Sequence, residues 1–421
     1  MYIFRHISFL RAVFNYSITA FGGPQVAVAL MQNQFVEKRK DLTAEELMEY
    51  NAFCQLLPGA SSTQTIILIA YKRGGTLLAF LTLLVWILPA TFLMATLAIL
   101  TTRIELTQGL KIVAFLQPMA VGFLASAGLL LYKKAVQSTI TFFIFLFACI
   151  ITFIGFKTPW TIPIIIVLAG FLTNFSSKRI PNDGPAPKRV KWSGLFIFIL
   201  LFVFAGIVSE QSTRHQWRFQ KAFNLFENNY RFGSMVFGGG DVLIPMMYEQ
   251  YVSRPNSERM KKSKRDVLKL SSTEFLTGSG FVRAIPGPIF SIASYTGAVA
   301  FKEMGVAWQI AGAIIASVGV FLPSFLIVLF FFPLWQMLQK FAVFYRSLEG
   351  IHASIVGIMI GATIYLIKDI TIQLQQGSAQ DYFTYPFVFG ISTYLLYQHK
   401  LAPQWIALCC LCLGGVIHFL S

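Results

Sequence analysis

The sequence predicts an all-α polytopic membrane protein, and three observations support that fold class. Of 421 residues, 56% are hydrophobic and only 12% are charged, and the mean hydropathy is +0.65. Several apolar runs exceed the roughly 18 residues that indicate a membrane-spanning helix. The polar stretches between them are short, the longest being residues 176–192 and 253–269. We therefore expect a multi-pass protein of the cell (inner or plasma) membrane, with the lipid bilayer as its first partner.

The charge and the cysteines exclude several other classes. A net charge of +16 is explained most simply by lysines and arginines in loops that fix the topology. A cationic entrance would also attract an anionic substrate. We do not expect nucleic-acid binding, because the basic residues lie in short loops between spans. The five cysteines lie in apolar runs without metal-ligand spacing, so the sequence predicts neither a metal nor a cofactor.

The first part of the chain alternates helices with glycine and proline breaks. We expect helices over residues 2–21 and 25–36, separated by Phe21-Gly22-Gly23-Pro24. Thr43 is typical of a helix N-cap, with acidic residues in the turn that follows. This helix should stop at Leu57-Pro58-Gly59, because proline clashes with the preceding turn and glycine permits a sharp change of direction.

Long apolar spans fill the middle of the chain. Their predicted bounds are 76–101, 110–132, 136–156 and 160–175. A linker rich in proline, glycine and lysine follows at 176–191, and residues 193–208 form an extra span. We divide the chain into an N-terminal repeat (residues 1–176), a linker with the extra transmembrane helix (177–210) and a C-terminal repeat (211–421).

The second half repeats the features of the first half in the same order. Phe237-Gly238-Gly239-Gly240 precedes a basic loop, Ser271 starts a capping box, and Pro286-Gly287-Pro288 breaks the next helix. We expect Pro288 at the first position of the new helix, where a missing N–H costs nothing. A long helix with Leu322-Pro323 follows, as Leu88-Pro89 does in the first half. The remaining spans are expected at 291–301, 306–332, 353–367, 385–397 and 404–420. The two halves are therefore an internal duplication, and matched breaks in two halves indicate the binding site of a transporter.

This set of motifs resembles the chromate ion transporter family in its long, two-half form. Phe21–Pro24, Gln55–Gly59 and Tyr71–Gly75 match its first half, and the second half is matched by Phe237–Gly240, Pro286–Pro288 and Leu322–Phe325. The resemblance implies a carrier that moves chromate outward, with sulfate as a look-alike. Three positions depart from the family pattern: Ala27 replaces a common histidine, Arg283 replaces a common glutamine, and Asp241 follows the glycines. These departures bear on the exact substrate and the coupling ion.

The helices that start after the breaks offer free N–H groups and a positive dipole end, which suit an anion. Arg283 is the strongest candidate, because an ionisable group inside an apolar span is costly and its planar guanidinium fits a tetrahedral oxyanion. The alternative is a structural ion pair with Asp241 or Glu274. The polar residues near the first break either replace the hydration shell of a dianion or cap the new helix. The predicted substrate-binding residues are Gln55, Gly59, Ser61, Ser62, Thr63, Gln64, Arg283, Gly287 and Ser291.

Two further groups of residues are expected to move or to titrate. The predicted breaks and hinges are Gly22, Gly23, Pro24, Pro58, Gly238, Gly239, Pro286 and Pro288. Their glycines either let the backbone approach the substrate or permit close helix packing. Asp241, Glu49 and Glu274 are candidates for a protonatable coupling group, the alternative being an ordinary acidic residue at a helix start.

The topology presents a conflict. Basic loops near 38–40, 178–191 and 254–269 all favour the cytosol, and hairpins that return to their own side would give parallel halves. The family resemblance implies inverted halves, with residues 193–208 as the span that turns the second half over. We expect inversion, because inverted repeats pack their breaks face to face at the midplane. One basic loop must then lie on the unexpected side, or a Phe-Gly-Gly element must be re-entrant.

The sequence thus predicts a secondary active transporter of chromate and sulfate-like oxyanions that works by alternating access at the paired breaks. A proton or counter-anion gradient is the expected driver, because no Walker A motif is present. An anion channel, or a transporter of another inorganic oxyanion, is the alternative. A membrane enzyme is disfavoured, because the histidines are scattered and no acidic pair lies within a span. A homodimer is also compatible with the sequence.

Overall fold

The computed structural model describes residues 2–21, 23–103, 113–156, 158, 161–173, 193–237, 240–257, 260, 267–334, 342–374, 379–398 and 400–420. Within these ranges the regular structure is helical and contains no strand, which confirms the predicted fold class. The predicted linker 176–191 and the glycines Gly22, Gly238 and Gly239 lie outside the described residues. The three proposed sequence divisions stay a prediction.

The described residues form eight helices before the helix that leads to Phe237-Gly238-Gly239. They are α1 (Tyr2–Thr19), α2 (Gly23–Met31), α3 (Ala44–Leu56), α4 (Ser61–Arg103), α5 (Leu116–Ala135), α6 (Thr139–Gly155), α7 (Thr161–Leu172) and α8 (Ser193–Arg214). A π-helical segment, Gln32–Lys38, extends α2.

The second half continues with eight more helices in the described residues. They are α9 (Gln220–Met235), α10 (Leu243–Tyr248), α11 (Ser272–Ala284), α12 (Ile292–Ala300), α13 (Val306–Phe331), α14 (Ala342–Leu374), α15 (Ala379–Tyr397) and α16 (Pro403–Leu420). A π-helical segment, Glu249–Ser253, follows α10, and a 3₁₀ turn, Ile289–Ser291, precedes α12. Helix α14 is longer than the predicted span 353–367, because charged residues interrupt the apolar pattern near its ends, Arg346 and Glu349 on one side and Lys368 and Asp369 on the other.

Four of the described helices are long and apolar enough to cross a membrane. They are Ser61–Arg103, Leu195–Arg214, Val306–Leu334 and Arg346–Ile372. Of the shorter apolar helices, Thr139–Gly155 packs on α14, and α12 packs on both α4 and α13. The chain is a multi-pass membrane protein.

The two predicted Pro-Gly breaks do end their helices. Helix α3 stops at Leu56 and α4 starts at Ser61, with Gly59 between them at φ +119°. Helix α11 stops at Ala284, and Gly287 has φ +118°. Both angles lie in the region that favours glycine. The expectation that Pro288 opens the new helix at its first position is wrong by one residue. Pro288 is extended (φ −75°, ψ 140°), and its carbonyl accepts the Ser291 N–H, which makes it the N-cap.

Each break lies at the tip of a hairpin of two short helices. The predicted N-cap at Thr43 and the predicted capping box of Ser271 with Glu274 are present, and Thr43 also forms a capping box, with Glu46. The Lys72 ammonium lies 2.5 Å from Glu46 Oε1, so residues 61–72 run back to the start of α3. In the second half the Lys302 ammonium lies 2.7 Å from Glu274 Oε1, so α12 runs back to the start of α11.

The two halves also correspond at the point where each hairpin continues into a long span. Helix α4 departs from helical geometry at Gly74 and at Gly75, which has φ +70°. Gly305 occupies the corresponding place before α13, with φ +89°. The Tyr71–Gly75 motif therefore ends in a joint between the second helix of the hairpin and the long span.

The hairpins enter from opposite ends of the molecule. We call the end with the Lys72–Glu46 pair the first end and the end with the Lys302–Glu274 pair the second end. Between Gly75 and Arg103 helix α4 rises by about 42 Å, enough to connect the two ends. Near its far end the Thr101 hydroxyl lies 3.2 Å from Tyr295 OH, and Gln309 Nε2 donates to Thr102 Oγ1 at 2.8 Å. Because Tyr295 lies on α12, the second hairpin belongs to the far end and the halves are inverted.

The same contacts explain the conflict over basic loops. Arg39 Nη1 donates to the Ser8 carbonyl at 3.2 Å, so the first Phe-Gly-Gly element returns to the first end and is re-entrant. The Leu270 N–H donates to the Tyr251 carbonyl at 2.9 Å, and this places the described part of loop 254–269 at the second end. Basic residues therefore lie at both ends, and counting them does not orient the chain.

The inversion can be tested by labelling single cysteines from each side of the membrane. Glu45 is exposed at the first end and Glu303 at the second end. In a background with the five native cysteines replaced, we expect Glu45→Cys and Glu303→Cys to react with an impermeant maleimide from opposite sides. Lys40 is also exposed at the first end, so Lys40→Cys should react with the maleimide from the same side as Glu45→Cys. Labelling of Glu45→Cys and Glu303→Cys from the same side would show that the halves are parallel.

Candidate functional site

The two Pro-Gly breaks are each held by the opposite half. The Gly59 N–H donates to the Val236 carbonyl at 2.6 Å, and the Gly287 N–H donates to the Ala20 carbonyl at 3.0 Å. Val236 and Ala20 are the residues directly before Phe237-Gly238-Gly239 and Phe21-Gly22-Gly23. The exchange is reciprocal, so each Phe-Gly-Gly element anchors the break of the other repeat.

A second reciprocal contact involves the residue after each Leu-Pro dipeptide. Ser324 follows Pro323, and its hydroxyl accepts the Ala60 N–H at 3.2 Å. A Cβ built on Gly59 would lie 2.4 Å from Ser324 Oγ, and a Cβ on Gly287 would lie 2.6 Å from that of Ala90, which follows Pro89. The long span of one repeat therefore presses on the break of the other, and only glycine fits at either position.

A cavity of about 730 Å³ reaches the two breaks. Five of the residues singled out in the sequence line it: Gln55, Ser61, Asp241, Arg283 and Gly287. From the breaks the cavity runs past Leu30 of α2 to Lys134, which is exposed at the end of α5. Towards the second end α12 packs on α4, where the Ser294 hydroxyl donates to the Thr91 carbonyl at 2.7 Å. The cavity is therefore open on one side of the breaks and packed on the other.

Arg283 is the charged centre of this cavity. Its Nη2 lies 2.7 Å from Asp241 Oδ1, and the two side chains are only 12% and 9% exposed. The structural ion pair that was the alternative interpretation is thus present, with Asp241 and not with Glu274. Arg283 Nε is buried without a hydrogen-bond partner in the described part of the chain, so the guanidinium keeps a free donor.

Several predicted substrate-binding residues make internal contacts around the first break. The Thr63 hydroxyl accepts the Trp86 indole N–H at 2.9 Å, and Gln64 Nε2 donates to the Pro58 carbonyl at 2.8 Å. Ser62 is half-buried and is not among the residues that line the cavity. At the second break the Ser291 hydroxyl donates to the Pro288 carbonyl at 2.8 Å. Thr63, Gln64 and Ser291 shape the breaks, and the structure does not bring them to the cavity.

The three coupling candidates occupy different surroundings. Glu274 caps α11 and pairs with Lys302, and Glu49 is exposed on α3 near the first end. Asp241 alone of the three lines the cavity. Of the hinge candidates within the described residues, Pro58 and Pro286 lie in the breaks, and Gly23 and Pro24 start α2.

Comparison with known proteins gives the family. The sequence profile described as "Chromate transporter" matches residues 7–174 and 223–416, which together exceed half of the chain.

The chain belongs to the chromate transporter family.

The two matched regions of this family member correspond to its two inverted halves. It is 25% identical over 407 residues to an uncharacterized transporter of Methanocaldococcus jannaschii, covering 95% of this chain and 91% of the relative. It is 22% identical to the chromate transport protein of Pseudomonas aeruginosa (85% and 79% of the two chains) and 23% identical to that of Cupriavidus metallidurans (83% and 79%). No solved structure matches the chain significantly.

Sequence reasoning missed several residues at the site of this chromate transporter family member. Ser324 could have been found, because it follows the proline of a motif already matched between the halves. Lys134 and His352 line the cavity, but the sequence around each of them contains no motif that indicates a site. Val236 and Ala20 act through their carbonyls, which a pattern of side chains does not reveal.

Removal of either Arg283 or Asp241 alone should destabilise the protein strongly, because the remaining charge is buried without compensation. We expect Arg283→Gln or Asp241→Asn alone to lower the free energy of unfolding by about 3–5 kcal/mol, and the double variant to lose much less than the sum. Unfolding in mixed micelles with increasing SDS measures these values. The exposed pair Arg214–Glu210 is the matched control, with a coupling energy below about 1 kcal/mol. Additive losses at Arg283 and Asp241 would show that the two charges do not interact.

Proposed function

We propose that this chain carries chromate, and sulfate-like tetrahedral dianions, across the cell membrane by alternating access at its paired Pro-Gly breaks. The observation that carries the proposal is the cavity that brings Arg283, Ser61 and the Gly287 backbone to one place. Two relatives that this chain matches over more than four fifths of its length bear the name chromate transport protein. The homodimer with which the sequence is compatible stays untested.

The chemistry of the cavity suits an oxyanion. Arg283 offers planar N–H donors that match two oxygens of a tetrahedral anion. Ser61 is the first residue of α4. At this position its hydroxyl and the backbone N–H groups of the first helical turn can donate hydrogen bonds to a bound anion. Lys134 at the open end would raise the local concentration of anions. Hydrogen bonds of this kind replace the hydration shell that a dianion loses on entry.

Asp241 gives a route to coupling with protons. Its carboxylate forms an ion pair with Arg283, and a dianion bound beside this pair would meet a like charge. Binding of the dianion is therefore favoured when Asp241 is protonated or turned away from Arg283. In this scheme a proton and the anion bind together, and acidification of the side that the cavity faces promotes loading.

The inverted halves provide the second state of the cycle. The cavity is open past α2 and α5 of the first repeat, while α12 packs on α4 beyond the breaks. In the second state the repeats would exchange these arrangements. The path past α2 and α5 would close, and a path beside α12 and α4 would open to the opposite side of the membrane. A cavity that is closed at one end favours a carrier over the alternative of an anion channel.

Chromate uptake into proteoliposomes tests the site. We expect Arg283→Gln to reduce uptake about 10- to 100-fold, the range for losing a charged hydrogen bond. Ser61→Ala should reduce uptake less strongly. Ser62→Ala, beside the cavity-lining serine, and Lys38→Gln, an exposed cation, should leave it unchanged.

The same vesicles separate the carrier from its alternatives. Uptake should saturate with chromate and should be accelerated by sulfate or chromate on the opposite side. Asp241→Asn should abolish the stimulation of sulfate uptake by an acid outside. Equal uptake in Arg283→Gln and in the unmodified protein would remove the proposed site, and uptake linear in concentration would indicate a channel.

A further inference from the structure

A second cavity, of about 620 Å³, lies away from the breaks where α8 ends and α13 begins. Its lining includes the cations Arg214, Arg218 and Lys221. Trp217 and Trp308 also face it, and Trp217 is 44% exposed. Nothing in the proposed transport cycle uses this cavity.

The cavity lies at the level of the membrane surface. The apolar span Leu195–Arg214 ends at it, and the span Val306–Leu334 starts at it. Tryptophans are enriched at this level, because the indole is apolar in its body and polar at its N–H. Phe219, Trp308 and Phe301 stand in a row, with neighbouring ring centroids 5.8 Å apart. The result is an aromatic wall next to three cations at an interface.

The electrostatics of the cavity favour an anion. Arg214 pairs with Glu210 at 2.8 Å, so its charge is already balanced. Arg218 lies over the Phe219 ring at 5.7 Å, and within the described residues neither Arg218 nor Lys221 forms a salt bridge. The lining residues include no acid. Two positive charges are therefore available to a ligand.

An apolar track leads from the cavity along the membrane face of α8. Only 11% of the most apolar stretch of this span is buried in the protein. Its outward side chains recur at helical spacing, and the same face continues to Arg214, which lines the cavity. The most exposed members of the track are Phe196, Ile199, Leu200, Val203, Phe204 and Ile207. A ligand held at the cavity would thus have space for acyl chains beside it.

We propose that this cavity binds the headgroup of an anionic phospholipid, with its phosphate at Arg218 and Lys221 and its acyl chains along α8. Basic pockets beside membrane helices suit such headgroups. A neutral phospholipid lacks the net negative charge that the two cations require. Free phosphate lacks the chains that the apolar track would hold.

Native mass spectrometry of the full chain in neutral detergent tests the proposal. Short-chain phosphatidylglycerol, phosphatidylcholine and inorganic phosphate are titrated separately. We expect phosphatidylglycerol to bind more tightly than the other two. Arg218→Gln/Lys221→Gln should weaken its binding about 30-fold, the effect of two cations near a membrane surface. The readout is independent of transport, so its outcome does not depend on the proposed function.

Two control variants make the result decisive. Arg218→Lys/Lys221→Arg keeps both charges and should keep the preference for phosphatidylglycerol. Lys38→Gln/Lys40→Gln removes two exposed cations at the first end and should leave the affinity unchanged. Equal affinity for phosphatidylglycerol and phosphatidylcholine in the unmodified protein would overturn the proposal. So would full retention of binding in Arg218→Gln/Lys221→Gln, or displacement of the lipid by inorganic phosphate at equal concentration.

Discussion

Two backbone hydrogen bonds, from Gly59 to Val236 and from Gly287 to Ala20, hold the architecture together. A broken helix in an apolar interior leaves N–H groups without partners, and each such group costs several kcal/mol if it stays unsatisfied. In this protein each broken repeat supplies the acceptor for the other. The N–H groups of Gly59 and Gly287 find their acceptors only in the opposite repeat, so the two halves must fold against one another.

The remaining features follow from this exchange. The breaks approach the opposite half so closely that a side chain at Gly59 or Gly287 would overlap Ser324 or Ala90. Because the repeats are inverted, the tips of two hairpins from opposite ends meet at one level and leave a cavity beside them. Polar atoms gather there because the chain is already interrupted there. Arg283 and Asp241 can share this depth only because each neutralises the other.

Much of this arrangement could be predicted from the sequence, because its signals are local. Thr43 and Ser271 cap helices through neighbours three residues away, and Pro58 and Pro286 end helices wherever they occur. The order of motifs was enough to reveal the duplication. Contacts between distant residues were less accessible. Thr63 and Gln64 have the side chains of an anion site, yet Trp86 and the Pro58 carbonyl engage them. The basic loops gave conflicting topologies because lysines and arginines lie at both the first end and the second end of the molecule.

Transport at the paired breaks requires that one oxyanion be shared by both repeats, and locating the bound anion tests this most directly. A cryo-EM structure of the protein in nanodiscs with saturating chromate would show its position. We predict density between the Arg283 guanidinium and the Ser61 hydroxyl, in contact with the Gly287 backbone, with Asp241 turned away. An anion bound by residues of a single repeat, or bound outside the cavity at the breaks, would show that the two repeats do not share one oxyanion.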